Sequence, residues 1–100
     1  MTKTTTVIRT DKYGIREAVL KRQDKGYATP DGRFVIVPVI MGEGYSSGGY
    51  SKGYREWRVT DTTGVAKISR WGDNSTTIRT RLYEVRQLIV RILDEEATAL

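Results

Sequence analysis

One hundred residues, 38% hydrophobic and 29% charged, suffice for one domain with one modest core; they are too apolar for a disordered tail and hold no run long enough to cross a membrane. The absence of cysteine and histidine removes disulfides, thiolate nucleophiles, zinc–sulfur sites and the commonest general base. The net charge of +5 lies in residues 1–60, which carry eleven Lys/Arg against six Asp/Glu, whereas residues 61–100 carry six of each.

The N-terminus, MTKTTTVIRT, is polar and lacks the apolar stretch of a secretory signal, so a cytoplasmic location is expected. Its β-branched residues suit an edge strand or a flexible arm over residues 1–10. Asp11-Lys12-Tyr13-Gly14 reads as a turn. From Ile15 to Lys25 two patterns compete. Ile15, Ala18, Val19 and Arg22 fall at helical spacing ahead of Gly26, while Ala18 and Leu20 alternate with polar neighbours as a strand would. The helical spacing is the preferred reading, giving a short helix near residues 15–25.

Thr29-Pro30-Asp31-Gly32 has turn chemistry, with Pro presetting φ and Gly closing the turn. Phe34 to Met41 is the strongest strand signal and is apolar on both faces. Pro38 cannot donate to a ladder, which places that strand at an edge or in a bulge. Residues 42–53, rich in Gly, Ser and Tyr, read as a long flexible loop. Tyr54 to Thr60 alternates, with Arg55, Trp57 and Val59 on one side. Asp61-Thr62-Thr63-Gly64 then marks a hairpin turn, and Val65 to Trp71 a returning strand. Arg81 to Glu96 forms an amphipathic helix capped by Thr80, with Leu82, Val85, Leu88, Ile89, Ile92 and Leu93 on its apolar side. Asp94, Glu95 and Glu96 oppose the helix dipole, so the end, including residues 97–100, should fray. These elements define an α+β fold, a small antiparallel meander of three to four strands packed against a C-terminal helix in a single domain.

The apolar arc of that helix, from Leu88 round to Val90, spans roughly 200°, wider than one sheet face requires. Either loops or the N-terminal segment cover the surplus, or Leu88, Val90 and Leu93 form an oligomer interface, making a homodimer one expectation.

Residues 42–53 and their flank hold the candidate binding residues: Tyr45, Tyr50, Lys52, Tyr54, Arg55 and Arg58. Tyrosines interleaved with cations suit nucleic acid, since bases stack on rings while cations hold phosphate. Tyr, Ser and Gly equally suit an adaptable protein-binding surface, and a tolerated insertion is the plain structural explanation. Gly42, Gly44 and Gly48 do not match a phosphate-binding glycine loop. Pro30-Asp31 followed by Glu56-Trp57-Arg58 approaches the PD-(D/E)xK nuclease pattern, but Arg stands where a Lys is needed and the Asp belongs to a turn. Lys67 is most simply solvent-facing, no serine has a histidine to activate it, and Trp57 and Trp71, which as stacking platforms on the sheet would suit nucleic acid, read first as core. No catalysis, cofactor or metal is expected.

The stretch from Pro30 to Phe34, the Gly/Tyr/Ser segment, Tyr54 to Gly64 and the closing helix together resemble small accessory proteins of actinobacterial phages. The strands-plus-helix outline is also similar to the small DNA-binding domains of phage integrases, although no contact residue carries over and the long loop departs from them. The resemblance implies a phage setting, without an activity. The leading expectation is a non-catalytic nucleic-acid-binding protein. A protein-binding modulator of a host factor and a self-assembling structural protein are the alternatives.

Overall fold

Two antiparallel sheets and one helix make up the computed structural model, which describes residues 6–98. Strands β1 (Ile8–Thr10) and β2 (Arg16–Ala18) form a hairpin. Asp11 makes its turn, its side chain accepting from the backbone N–H groups of Tyr13 and Ile15 at 2.8 and 2.9 Å. A five-stranded meander follows in chain order, namely β3 (Lys21–Gln23), β4 (Gly26–Ala28), β5 (Phe34–Ser46), β6 (Gly49–Asp61) and β7 (Ser75–Ile78). Helix α1 (Leu82–Thr98) closes the chain. The α+β class is thus as expected, with a larger sheet.

The core gathers Phe34, Ile36, Trp57 and Val59 from one sheet face, Val85 and Ile89 from α1, and Ala18 from β2. Tyr27 meets Trp57 edge to face at 6.0 Å between centroids. The Thr29–Gly32 turn joins β4 to β5, with the Gly32 N–H donating to the Thr29 carbonyl at 2.8 Å.

No helix forms over residues 15–25. Ala18 is the one residue of that stretch's helical set that is buried, while Ile15 and Arg22 face solvent. Pairing Ile8 with Ala18 and Lys21 with Ala28 satisfies this backbone instead, so tertiary pairing overrides helix propensity. Residues 8–10 are accordingly strand, and residues 1–5 lie outside the described residues. Pro38 does sit on an edge, because β4 pairs with β5 only at Val35 and Ile36.

The segment 65–71 is also not a strand. Turns and bends fill residues 62–74, and the return strand is β7, which pairs with Trp57 to Thr60. Asp61 sets this course: its backbone pairs with Asn74 while its carboxylate accepts from the Ala66 N–H at 2.8 Å.

Helix α1 runs to Thr98, past the expected end at Glu96, and residues 99–100 of the expected frayed tail lie outside the described residues. Cations from elsewhere replace those its last turn lacks. Arg16 pairs with Asp94 at 3.1 Å and Arg33 with Glu96 at 2.5 Å. At its start Arg81 accepts the first helical bonds, and the Thr80 hydroxyl donates to the Glu84 carboxylate. Thr80 therefore precedes the cap. The wide apolar arc is divided between β6 and β2, both of which pack on α1. Val90 is 6% exposed, and Leu88 and Leu93 pack half-buried on the core.

Candidate nucleic-acid interface

Residues 42–53, read as a flexible loop, are the distal half of a long β-ribbon. Strands β5 and β6, each 13 residues, pair from Phe34↔Asp61 to Ser46↔Gly49 around a turn at Ser47-Gly48. Strands of that length reach roughly 40 Å, and the molecule measures 53 × 33 × 24 Å. Its radius of gyration is 15.5 Å, against about 13 Å for an ordinary domain of this size. Neither β4 nor β7 accompanies the ribbon beyond its base, since β4 stops at Ile36 and β7 at Trp57.

The distal ribbon is one-sided. Strand alternation places Glu43, Tyr45, Tyr50 and Lys52 on one face. The reverse face carries Gly44, Ser46, Gly49 and Ser51, so it is almost bare backbone. Tyr45, at 87% exposure, faces Tyr50 with ring centroids 5.0 Å apart and planes inclined by 51°. The Tyr50 hydroxyl donates to the Glu43 carboxylate at 3.0 Å, and Lys52 lies directly across from Glu43. Glycine disguised this period-two pattern as a loop.

Between Met41↔Tyr54 and Glu43↔Lys52, Gly42 and Gly53 face one another outside the ladder, with φ of 72° and 74°. A Cβ on Gly53 would lie 2.4 Å from the Met41 carbonyl oxygen and 2.9 Å from the Glu43 nitrogen. Glycine is therefore required there on two counts.

Below this junction the expected residues part company. Tyr54 lies on the face opposite the core, and the Arg79 guanidinium sits over its ring at 4.0 Å. Arg58 shares that face, paired with Val37 and Thr77. Arg55 falls on the other face, with its guanidinium 5.5 Å over Trp57. The structure thus assembles Tyr45, Tyr50 and Lys52 at the tip, sets Tyr54 and Arg58 along the stem, and turns Arg55 away. Arg79 was missed because nothing local marks it: its partner is 25 residues away in sequence and is met through β6–β7 pairing.

A second polar cluster is structural. Asp61 is fully buried and accepts from Arg33 Nε at 3.3 Å, an Arg33 Nη at 3.1 Å, the Thr63 hydroxyl at 2.7 Å and its N–H at 3.0 Å. Burial pushes the Asp61 pKa up, but the Arg33, Thr63 and Ala66 hydrogen bonds outweigh it and hold the carboxyl below its ordinary value. Burial also disfavours the Arg33 charge, yet Glu96 and Asp61 more than offset this and raise its pKa. Asp31 serves its turn, accepting from Thr29, Thr6 and the Arg33 N–H. The cleft beside this cluster holds about 220 Å³, below the ~300 Å³ of an ordinary ligand pocket. Among the described residues, no three acidic side chains gather closely enough to hold a metal ion. No helix among them is long and apolar enough to cross a membrane.

Comparison with protein-family models, with curated protein sequences and with solved structures finds no match to this chain.

Proposed function

We propose that this chain is a non-catalytic nucleic-acid-binding protein that engages its target through the projecting ribbon, in the setting of a small phage accessory protein in the host cytoplasm. One observation carries the reading: two exposed tyrosine rings and a lysine, with Glu43 beside them, occupy one face of a ribbon whose reverse is bare. A two-stranded ribbon fits the major groove, about 12 Å wide, and a thin Gly/Ser backbone allows close approach with N–H donors free for phosphate. Lys52, Arg58 and Arg79 supply cations along the same face, while Tyr45 and Tyr50 present apolar ring surface to base edges in the groove of a duplex and ring faces to the bases of a single strand.

Labelled duplex and single-stranded DNA should bind at about 50 mM salt. If these three cations each neutralise one phosphate, affinity should fall about 40-fold between 50 and 200 mM salt. Tyr45→Ala combined with Tyr50→Ala should abolish most duplex binding without unfolding the protein. Failure of both nucleic acids to bind wild type would end this reading.

A protein-binding role has its own observation: Val37, Met41 and Tyr54 are exposed on the sheet face that α1 does not cover. Salt-tolerant capture of a host protein, lost in Val37→Asp and Met41→Asp, would favour it. Self-assembly would appear as oligomers in light scattering.

A further inference from the structure

The loop 62–74 presents a feature that neither the fold nor the ribbon uses. Trp71, expected in the core, is 82% exposed. It stands on a turn closed from every side. The Ser69 hydroxyl accepts from the N–H groups of Trp71 and Asp73 at 3.2 and 3.0 Å. The Asp73 carbonyl accepts from Ile68 and Ser69 at 2.8 and 3.1 Å, and the Gly72 N–H, at φ 83°, donates to Ser69 at 3.0 Å. Below the turn, Ile68 packs on the core and Ala66 is buried, its N–H held by Asp61. The Asn74 amide donates to the Asp61 carbonyl at 2.8 Å. The turn is thus anchored at both ends, and it holds outward the largest apolar side chain in the repertoire.

Such a ring adds little to folding, because it buries almost nothing. Its neighbour indicates its use. The Arg70 guanidinium lies 5.8 Å from the Trp71 centroid, so a planar π-face and a cation that cannot lose its charge are presented together. A planar ring bearing an adjacent anion matches this pair: the base stacks on the indole while its phosphate meets Arg70. A duplex hides base faces within its stack, whereas a single strand exposes them.

We infer that Trp71 and Arg70 form a second contact point, a stacking site for an unpaired nucleobase and its phosphate. The inference rests on the nucleic-acid reading but not on the ribbon's tyrosines. The other tryptophan, Trp57, is buried, so the part of the tryptophan emission that a stacked base can quench by contact comes from Trp71.

The test titrates wild type, Trp71→Ala and the Tyr45→Ala/Tyr50→Ala variant with oligothymidylate and with blunt duplex at about 50 mM salt. All three substituted positions are exposed, so wild type and both variants should fold. Oligothymidylate should quench tryptophan emission in wild type and in the tyrosine variant. Trp71→Ala should abolish the quench and weaken single-strand binding about ten-fold, leaving duplex binding unchanged. A quench that survives in Trp71→Ala, or single-strand binding without a quench, overturns the inference. Equal losses on single strand and duplex also overturn it, as does emission that answers to anionic phospholipid vesicles and not to oligothymidylate. Duplex binding that depends on the tyrosines while oligothymidylate leaves Trp71 unaffected removes this site alone. Absence of all binding removes both readings.

Discussion

Asp61 is surrounded by donors from three places in the chain: Arg33 before the β5 strand, and Thr63 and Ala66 in the loop that follows β6. Removing it leaves Arg33 half-buried and short of a partner, and frees the loop anchor. Asp61→Ala should therefore cost about 3–5 kcal/mol in urea unfolding. The pH dependence has a definite sign. Asp31 and Asp61 have folded pKa values below their ordinary value of 3.8, so the stability they contribute is complete above about pH 4 and lost as pH falls through the lowered values. Urea midpoints measured from pH 5 down to pH 2 should drop in wild type and drop less in Asp61→Ala. At Gly53 a side chain meets both a left-handed φ and the Met41 carbonyl. Gly53→Ala should cost about 1–3 kcal/mol, visible in the same unfolding curves.

At the scale of elements, legibility followed how local the deciding interaction was. The Thr29–Gly32 turn, the Phe34–Met41 strand and the closing helix were readable because proline, glycine and periodicity act within a few residues. The ribbon was not, although Glu43, Tyr45, Tyr50, Lys52 and Tyr54 alternate strictly with Gly and Ser. Glycine is a poor strand former, so its run suggested a loop, and only pairing with a partner of matching length makes it strand. The grouping of Tyr45, Tyr50 and Lys52 was legible as composition, but the loss of Arg55 to the opposite face and the gain of Arg79 required the register. Trp71 was misread because size predicts burial and cannot reveal a turn that holds the ring outward. The distal ribbon contributes no buried apolar residue. Replacing residues 42–53 by Asn-Gly should keep the fold within about 1 kcal/mol while removing duplex binding, with melts and polarisation as the paired readouts.

Across the whole molecule, α1 is the common wall of two sheets, touched by β2 and β6. Its breadth of apolar surface, suggestive of a missing partner in the bare sequence, is answered within the chain by the N-terminal hairpin. Val90→Asp should accordingly destabilise the fold by several kcal/mol, seen as a lowered melting temperature.

The facing glycines at positions 42 and 53 divide the ribbon in another respect. Cooperativity depends on shared burial, and across this junction the two strands share neither a ladder pair nor side-chain packing that reaches the core. Opening the tip therefore costs only its own few hydrogen bonds. Amides of residues 43–52 should exchange with deuterium through local opening, insensitive to mutations such as Ile89→Ala, while those of Ile36 and Val59 should exchange only through global unfolding and accelerate with it. The molecule would then combine two independent folding units, one that stores its stability and one that is free to reshape against whatever it touches.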